Sequence, residues 1–276
     1  MSRLDPRLLL QGYATGIFPM ADSRDAAELF WVEPRNRAIL PLDRFHLSRS
    51  LKRTLRLGRF AVTLDRAFAR VITACADREE TWINADLERA MLALHGSGHA
   101  HSVEIWNEGA LVGGLYGVKL GRAFFGESMF SRARDASKVA LAWLVARLKV
   151  GNFTLLDCQF MTEHLASLGA ISVPRETYVA LLSAALGGGA AVGAGAAAGL
   201  AGEPGAAPDS PPDFFALDRL LELAGAAGST GAEGVARVSD AAPDFGALDR
   251  LLELAGAAGA AGPAGYVISQ LLGQTS

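Results

Sequence analysis

Cysteine is scarce and long apolar runs are missing. The 276 residues hold two cysteines, Cys75 and Cys158, far apart and with no CxxC pair. That excludes a disulfide framework and a thiolate metal cluster, and it reads as a chain of a reducing compartment, the cytoplasm. The apolar tracts near the C-terminal end are Ala/Gly-rich and interrupted by charge, so no membrane span is expected. Met1-Ser2-Arg3-Leu4-Asp5-Pro6 shows no basic region running into an apolar one, so no signal peptide is expected. Histidines number five, His46, His95, His99, His101 and His164. Their spacings suit no helical metal motif, and all are read as non-ligands. Acid is absent from residues 44–59, where Arg44, Arg49, Lys52, Arg53, Arg56 and Arg59 stand.

Half of the chain is hydrophobic, enough for a sizeable core. The net charge of −3 conceals an asymmetry: residues 187–276 carry 3 basic and 10 acidic residues, residues 1–186 carry 23 and 19. The N-terminal two-thirds is therefore mildly basic, with its charge concentrated in the acid-free run. A helix over 45–57 would carry that run. Such a stripe suits a phosphate backbone, and with no reader of base edges nearby, binding should be tolerant of sequence.

Residues 111–160 organise the rest. An apolar, glycine-interrupted strand (111–118) turns at Gly121 into a second strand (123–130) bearing one acid, Glu127. A helix follows over 136–149, apolar on more than one side and ended by Gly151. A short strand, 153–160, carries Asp157 and Gln159. Alternation along a strand puts these two on one face, a carboxylate beside an amide. Strand–helix–strand implies a parallel pair with a crevice beyond the strand ends. The loop 131–136 contains no glycine, which speaks against a CoA pyrophosphate there.

Around this unit the pattern predicts further elements. Asp5 caps a helix running to about Tyr13, Asp65 caps one to about Cys75, and Asn84 caps one to His95. A hairpin turns at Asn107-Glu108-Gly109. Thr162 opens a short helix, and Pro174 opens one to about Leu186. Beyond Leu186 the composition changes: 17 of the 24 residues 187–210 are Gly or Ala, which reads as a linker. A repeat follows. PDFFALDRLLELAGAAG (212–228) returns as PDFGALDRLLELAGAAG (243–259), differing only in Phe215 against Gly246. Each copy encodes a short amphipathic helix, suited to docking or to a partner.

Many of these stretches together resemble the leucyl/phenylalanyl-tRNA–protein transferase family. They are Gly12-Tyr13 with GIFPM (16–20), Phe30-Trp31, HLSRS (46–50) with Lys52-Arg53, TWI (81–83), HAHSVEIW (99–106), LVGGLYG (111–117), GESMFS (126–131), ASK (136–138), LLDCQ (155–159) and HLASLGA (164–170). The resemblance covers residues 1–186 and does not extend to the Ala/Gly expansion or the repeat. It implies an α/β protein with a small N-terminal α+β domain (1–58) and an acetyltransferase-like (GNAT-like) catalytic domain (59–186), while composition alone marks 187–276 as a low-complexity tail.

The resemblance also implies an activity: transfer of Leu or Phe from Leu-tRNA or Phe-tRNA to the N-terminal amine of proteins beginning with Arg or Lys, which marks them for degradation. No cofactor, metal or membrane takes part. Catalysis is assigned to Asp157, Gln159 and Glu127. Asp157 holds or accepts the amine proton, Gln159 orients the reacting groups, and Glu127 holds the acceptor's cation or supports the Asp157 network. Leu115, Phe124, Met129, Leu144 and Leu156 match the aminoacyl pocket, and Trp31 and Trp82 the positions that meet the terminal adenosine. Arg49, Lys52, Arg53 and Arg56 would carry the tRNA. Two departures are Asp135, where many members have Asn, and Leu115, where some have Met. Two further readings stay open: a leucyl-transferase acting on N-terminal Asp or Glu, and a non-catalytic tRNA- or degron-binding adaptor. Glu127 favours basic acceptors, and Asp157 speaks for catalysis.

Overall fold

The structure is a computed structural model and describes residues 4–187, 210–223 and 264–273. The second copy of the repeat lies outside the described residues.

The protein is a mixed α/β fold around a seven-stranded sheet, preceded by a small N-terminal unit. That unit holds helix α1 (Pro6–Thr15) and the two-stranded ribbon β1 (Phe18–Met20) and β2 (Phe30–Val32). Asp5 caps α1 by accepting from the Arg7 N–H at 2.9 Å, with Pro6 preset for the first turn. Gly16 closes it in the left-handed region.

The large sheet contains β3 (Asn36–Ile39), β4 (Ala61–Leu64), β5 (Ala100–Asn107), β6 (Ala110–Leu120), β7 (Ala123–Ser131), β8 (Leu155–Gln159) and β9 (Ile171–Pro174), in the order β4-β5-β6-β7-β8-β3-β9. Strands β4 to β7 form an antiparallel run. Its β5–β6 hairpin turns through Glu108 and Gly109, both at positive φ. Strands β7 and β8 are parallel, joined over the sheet by helix α5 (Ala136–Val150). Strand β3, from the first 58 residues, inserts between β8 and β9.

Each face of the sheet has its own core. On one side α5 is buried along nearly its whole length, and helix α2 (Arg49–Arg56) packs on it. On the other lie α1, α3 (Phe68–Ala76), α4 (Ala85–Gly96) and α7 (Arg175–Ala185). The short α6 (Glu163–Ser167) starts from the Thr162 cap. Two late segments also reach the α5 side. Helix α8 (Ala216–Leu223), from the first repeat copy, rests on α5, and α9 (Ala264–Gly273) rests on α2 and α5. These cover the outer side of α5, which is why that helix is apolar all round.

Two sequence expectations change locally. The basic helix begins at Arg49, not at Phe45. Ser48 caps it by accepting from the Leu51 N–H, and Phe45 is buried ahead of it. Asp65 does not cap α3: it sits at φ 58°, and its carboxylate accepts from the Ser102 N–H at 2.8 Å and meets His101 Nδ1 at 2.7 Å. Engaged on β5, it leaves α3 to begin at Phe68 without a side-chain cap.

Gly117 shows how tightly the centre of the sheet is packed. A Cβ there would collide with the Phe125 carbonyl oxygen and the Phe124 ring. Gly117→Ala is expected to destabilise the protein by about 1–3 kcal/mol, measured as a lower urea midpoint at unchanged m-value. No change in the midpoint would show that β6 and β7 can move apart at this point.

Candidate active site

The site forms where β7 and β8 stop pairing. Their parallel register runs Ala123↔Leu155, Phe124↔Leu156, Phe125↔Asp157 and goes no further, although both strands continue. Two features act there. On β7 the register against β6 jumps from Tyr116↔Ser128 to Gly117↔Gly126, so Glu127 is the extra residue of a β-bulge. Alternation from Phe125 puts the Glu127 carboxylate on the Tyr13 and Tyr116 side, and the bulge shifts the alternation beyond it, so that Met129 joins Phe124 in the opposite, α5-side core. On β8, Gln159 adopts φ 62°, a left-handed conformation that an uncompensated glutamine would avoid.

What compensates is a buried polar cluster. Asp157 is fully buried, and Arg37 of β3, 1 % exposed, grips it from two nitrogens: Nε to Oδ1 at 2.9 Å and Nη2 to Oδ2 at 2.6 Å. The Tyr178 hydroxyl donates to Oδ2 at 2.8 Å. The Gln159 N–H donates to Oδ1 at 2.8 Å, which holds that residue in its unusual conformation. Four donors therefore occupy the carboxylate's acceptor sites. The guanidinium also lies against the rings of Phe18 and Tyr178, 4.4 and 4.7 Å from their centroids. Burial pulls the Arg37 pKa down, but Asp157, helped by Tyr178 and Glu127, offsets this and the net shift is upward. Burial, with the Asp157 charge added, pushes the Tyr178 hydroxyl well up.

Gln159 bridges the gap between the strands. Its Nε2 donates to Glu127 Oε1 at 2.7 Å. The other oxygen, Glu127 Oε2, is buried, and among the described residues neither it nor the Tyr13 and Tyr116 hydroxyls makes a hydrogen bond of ordinary length and angle, although the Tyr13 hydroxyl lies near enough to the carboxylate to stabilise its charge. Burial raises the Glu127 pKa to about 8. The Asp157 charge adds to this, while Tyr13, Arg37 and Gln159 pull it back. The result is a chain, Arg37–Asp157–Gln159–Glu127, closed at one end and open at the other.

The residues assigned to the aminoacyl pocket lie across the sheet from this chain. Leu115, Phe124, Leu144 and Leu156 sit in the α5-side core, with Met129 partly buried against it. The polar group and the apolar group thus occupy opposite faces of the sheet. Trp31 is 41 % exposed on β2 and packs on Gly12, while Trp82 is half-buried beside the N-terminal unit. Arg49, Arg53 and Arg56 are exposed along α2, and Lys52 is half-buried near Gly273 of α9. Arg37, Tyr178 and Tyr13 were not picked out as site residues from the sequence. The signal for Arg37 was present as an arginine beside the apolar run 38–40. Tyr178, on α7, offered none.

Two family models match the chain. Leucyl/phenylalanyl-tRNA protein transferase matches residues 39–183, and the N-terminal domain of the same family matches residues 2–35. Among curated proteins, a leucyl/phenylalanyl-tRNA–protein transferase of Rhizorhabdus wittichii is 63 % identical over 226 residues, 79 % of this chain and 89 % of that protein. Proteins of the same name from Zymomonas mobilis and Cereibacter sphaeroides are 62 % and 60 % identical. They cover 66 % and 67 % of this chain, and 70 % and 86 % of their own lengths.

Removing one partner of a buried ion pair strands the other. Arg37→Met is expected to cost about 3–5 kcal/mol in stability. The double variant Arg37→Met/Asp157→Asn should be more stable than Arg37→Met alone, because it no longer buries an unpaired charge. Urea denaturation of the four proteins of this cycle tests it; strictly additive effects would mean that the two groups do not act as a pair.

Proposed function

This chain belongs to the leucyl/phenylalanyl-tRNA–protein transferase family, and from that premise we propose that it moves Leu or Phe from aminoacyl-tRNA to the N-terminal amine of proteins beginning with Arg or Lys, so marking them for degradation in the cytoplasm. It is an aminoacyltransferase; the acceptor class, the tRNA identities and the residue roles are the proposal. We read residues 59–186 as an acetyltransferase-like (GNAT-like) body. The antiparallel β4–β7 run followed by the parallel β7–α5–β8 crossover supports that reading.

The ester of an aminoacyl-tRNA is already activated. The acceptor amine attacks its carbonyl carbon, a C–N bond forms, and the C–O bond to the terminal ribose breaks. The amine gives up one proton and the ribose oxygen gains one. The protein's task is mainly to hold amine and ester together. The observation that carries the reading is Gln159, tied at its backbone to Asp157 and at its side chain to Glu127. With its acceptor sites filled, Asp157 serves as the fixed anchor that positions Gln159, and Gln159 orients the amine against the ester. Glu127, whose buried Oε2 lacks a well-formed hydrogen bond, receives the cationic side chain of the acceptor. Leu115, Phe124, Met129, Leu144 and Leu156 form the apolar surface for the transferred side chain. Trp31 and Trp82 stack the terminal adenosine. Arg49, Lys52, Arg53 and Arg56 meet the tRNA backbone.

Labelled leucine offered on Leu-tRNA to two matched peptides, one starting with Arg and one with Glu, tests the acceptor class. Label on the Arg peptide alone is expected. Label on the Glu peptide alone would move the assignment to acidic acceptors, and label on neither, with tRNA still bound, to a non-catalytic adaptor.

Glu127 also gives the reaction a pH signature. Only the ionised carboxylate attracts a cation, and its pKa of about 8 leaves it mostly protonated at pH 7. KM for the Arg peptide should therefore fall as pH rises from 6.5 to 8.5. Glu127→Gln should raise that KM and flatten its pH dependence. The difference between the two proteins separates Glu127 from the acceptor's own amine, which titrates in the same range. Equal profiles for both would exclude Glu127 as the cation's partner.

A further inference from the structure

Helix α8 is seated in a berth made for it. Phe214 is buried, stacked on Phe124 at 5.4 Å and on His101 at 4.3 Å between ring centroids, and edge-on to Phe153 at 6.0 Å. Leu217, Leu220 and Leu221 are buried behind it. Arg147, itself 3 % exposed, binds Asp218 with both terminal nitrogens at 2.6 and 2.7 Å and donates to the Phe214 carbonyl at 2.9 Å. The Asp213 N–H donates to the Gly151 carbonyl at 2.9 Å, so close that a Cβ on Gly151 would strike Asp213. Were the berth vacated, a buried arginine would lose its carboxylate and three aromatic rings would lose their cover.

Every side chain in that list recurs in the second repeat copy. Asp213, Phe214, Leu217, Asp218, Leu220 and Leu221 become Asp244, Phe245, Leu248, Asp249, Leu251 and Leu252. The one difference, Gly246 for Phe215, falls just before the helix, where glycine costs only a few tenths of a kcal/mol. Phe215 is only partly buried. Its ring meets His101 edge-on at 5.5 Å and lies 5.9 Å from the Lys119 ammonium. The second copy therefore keeps the anchors and forgoes a peripheral contact.

We propose that this berth is a binding site for the repeated motif rather than for one copy of it: residues 243–254 take the place of residues 212–223 within the same molecule. The chain is long enough. With the second copy seated, the nine residues 255–263 would join it to α9 and could span about 30 Å fully extended. Both α8 and α9 rest on α5, whose 15 residues are only about 22 Å long. Tethering makes the exchange intramolecular and independent of protein concentration. The phenylalanine of whichever copy is bound backs Phe124, so either copy completes the apolar wall that the proposed aminoacyl pocket shares. The berth itself stands whether or not that pocket assignment holds.

Hydrogen exchange read by mass spectrometry on the full-length protein distinguishes the copies, because their flanking sequences differ. In Phe214→Ala, slow exchange should be lost from residues 216–223 and gained by 247–254. In Phe215→Gly, which makes the two motifs identical, protection should be shared between them. Thermal unfolding gives a second readout. Phe214→Ala and Phe245→Ala should each stay within a few degrees of the parent, and the double variant should fall by roughly 5–10 °C. The proposal is overturned if residues 247–254 stay unprotected in Phe214→Ala, or if that single variant melts as low as the double. It is also overturned if protection of 247–254 requires high protein concentration, which would place the second copy on a neighbouring molecule.

Discussion

The buried contact between Arg37 and Asp157 sets the arrangement of everything around it. A lone carboxylate cannot be buried completely in an apolar sheet without a counter-charge. Here the counter-charge comes from 120 residues earlier in the chain. Supplying it requires β3 to insert between β8 and β9, which ties the N-terminal segment to the C-terminal half of the sheet. It also brings Gly16, Phe18 and Tyr178 onto the guanidinium, so that α1, the β1–β2 ribbon and α7 all converge on one ion pair. With this contact in place, Gln159 can hold a left-handed backbone next to Asp157 and reach Glu127 across the gap.

That gap explains how one sheet serves two kinds of chemistry. Pairing along β7–β8 ends after three residue pairs, and the bulge at Glu127 reverses which face each later β7 residue addresses. An acid and an amide thereby come together on one face while an apolar surface gathers on the other. The proposed substrate pair, a charged acceptor and an apolar aminoacyl group, would use the two faces separately. The opposing demands on the two carboxylates follow from the same geometry. Asp157 has all its acceptor sites filled, and Glu127, only half satisfied and deeply buried, has its pKa raised.

The C-terminal segments add a second dependence, on the outer side of α5. An arginine at position 147 of an otherwise apolar helix would be a liability without Asp218 and the Phe214 carbonyl. The repeat duplicates those partners. On the proposal above the protein carries more ligand than berth, and within the motif the two copies differ only at Phe215 against Gly246.

Much of this was legible in the sequence, for reasons that are local. Caps at Asp5, Asn84 and Thr162, the Glu108-Gly109 and Gly121 turns, the all-round apolar helix at 136–150 and the parallel strand after it depend on residues within a few positions of one another. Family motifs pointed to Asp157, Gln159 and Glu127, three residues that the structure joins in one hydrogen-bonded chain. The sequence could not say that Asp157 would be saturated, because its partners, Arg37 and Tyr178, come from different elements and meet it only through strand order. Nor could it foresee that Asp65 would turn from capping α3 to binding His101, a choice made by the neighbouring strand. Local propensity and pattern determined which elements form. The tertiary structure alone decided which charges face each other, because ion pairing deep in a core depends on distance and burial, and neither is written in the spacing of residues along the chain.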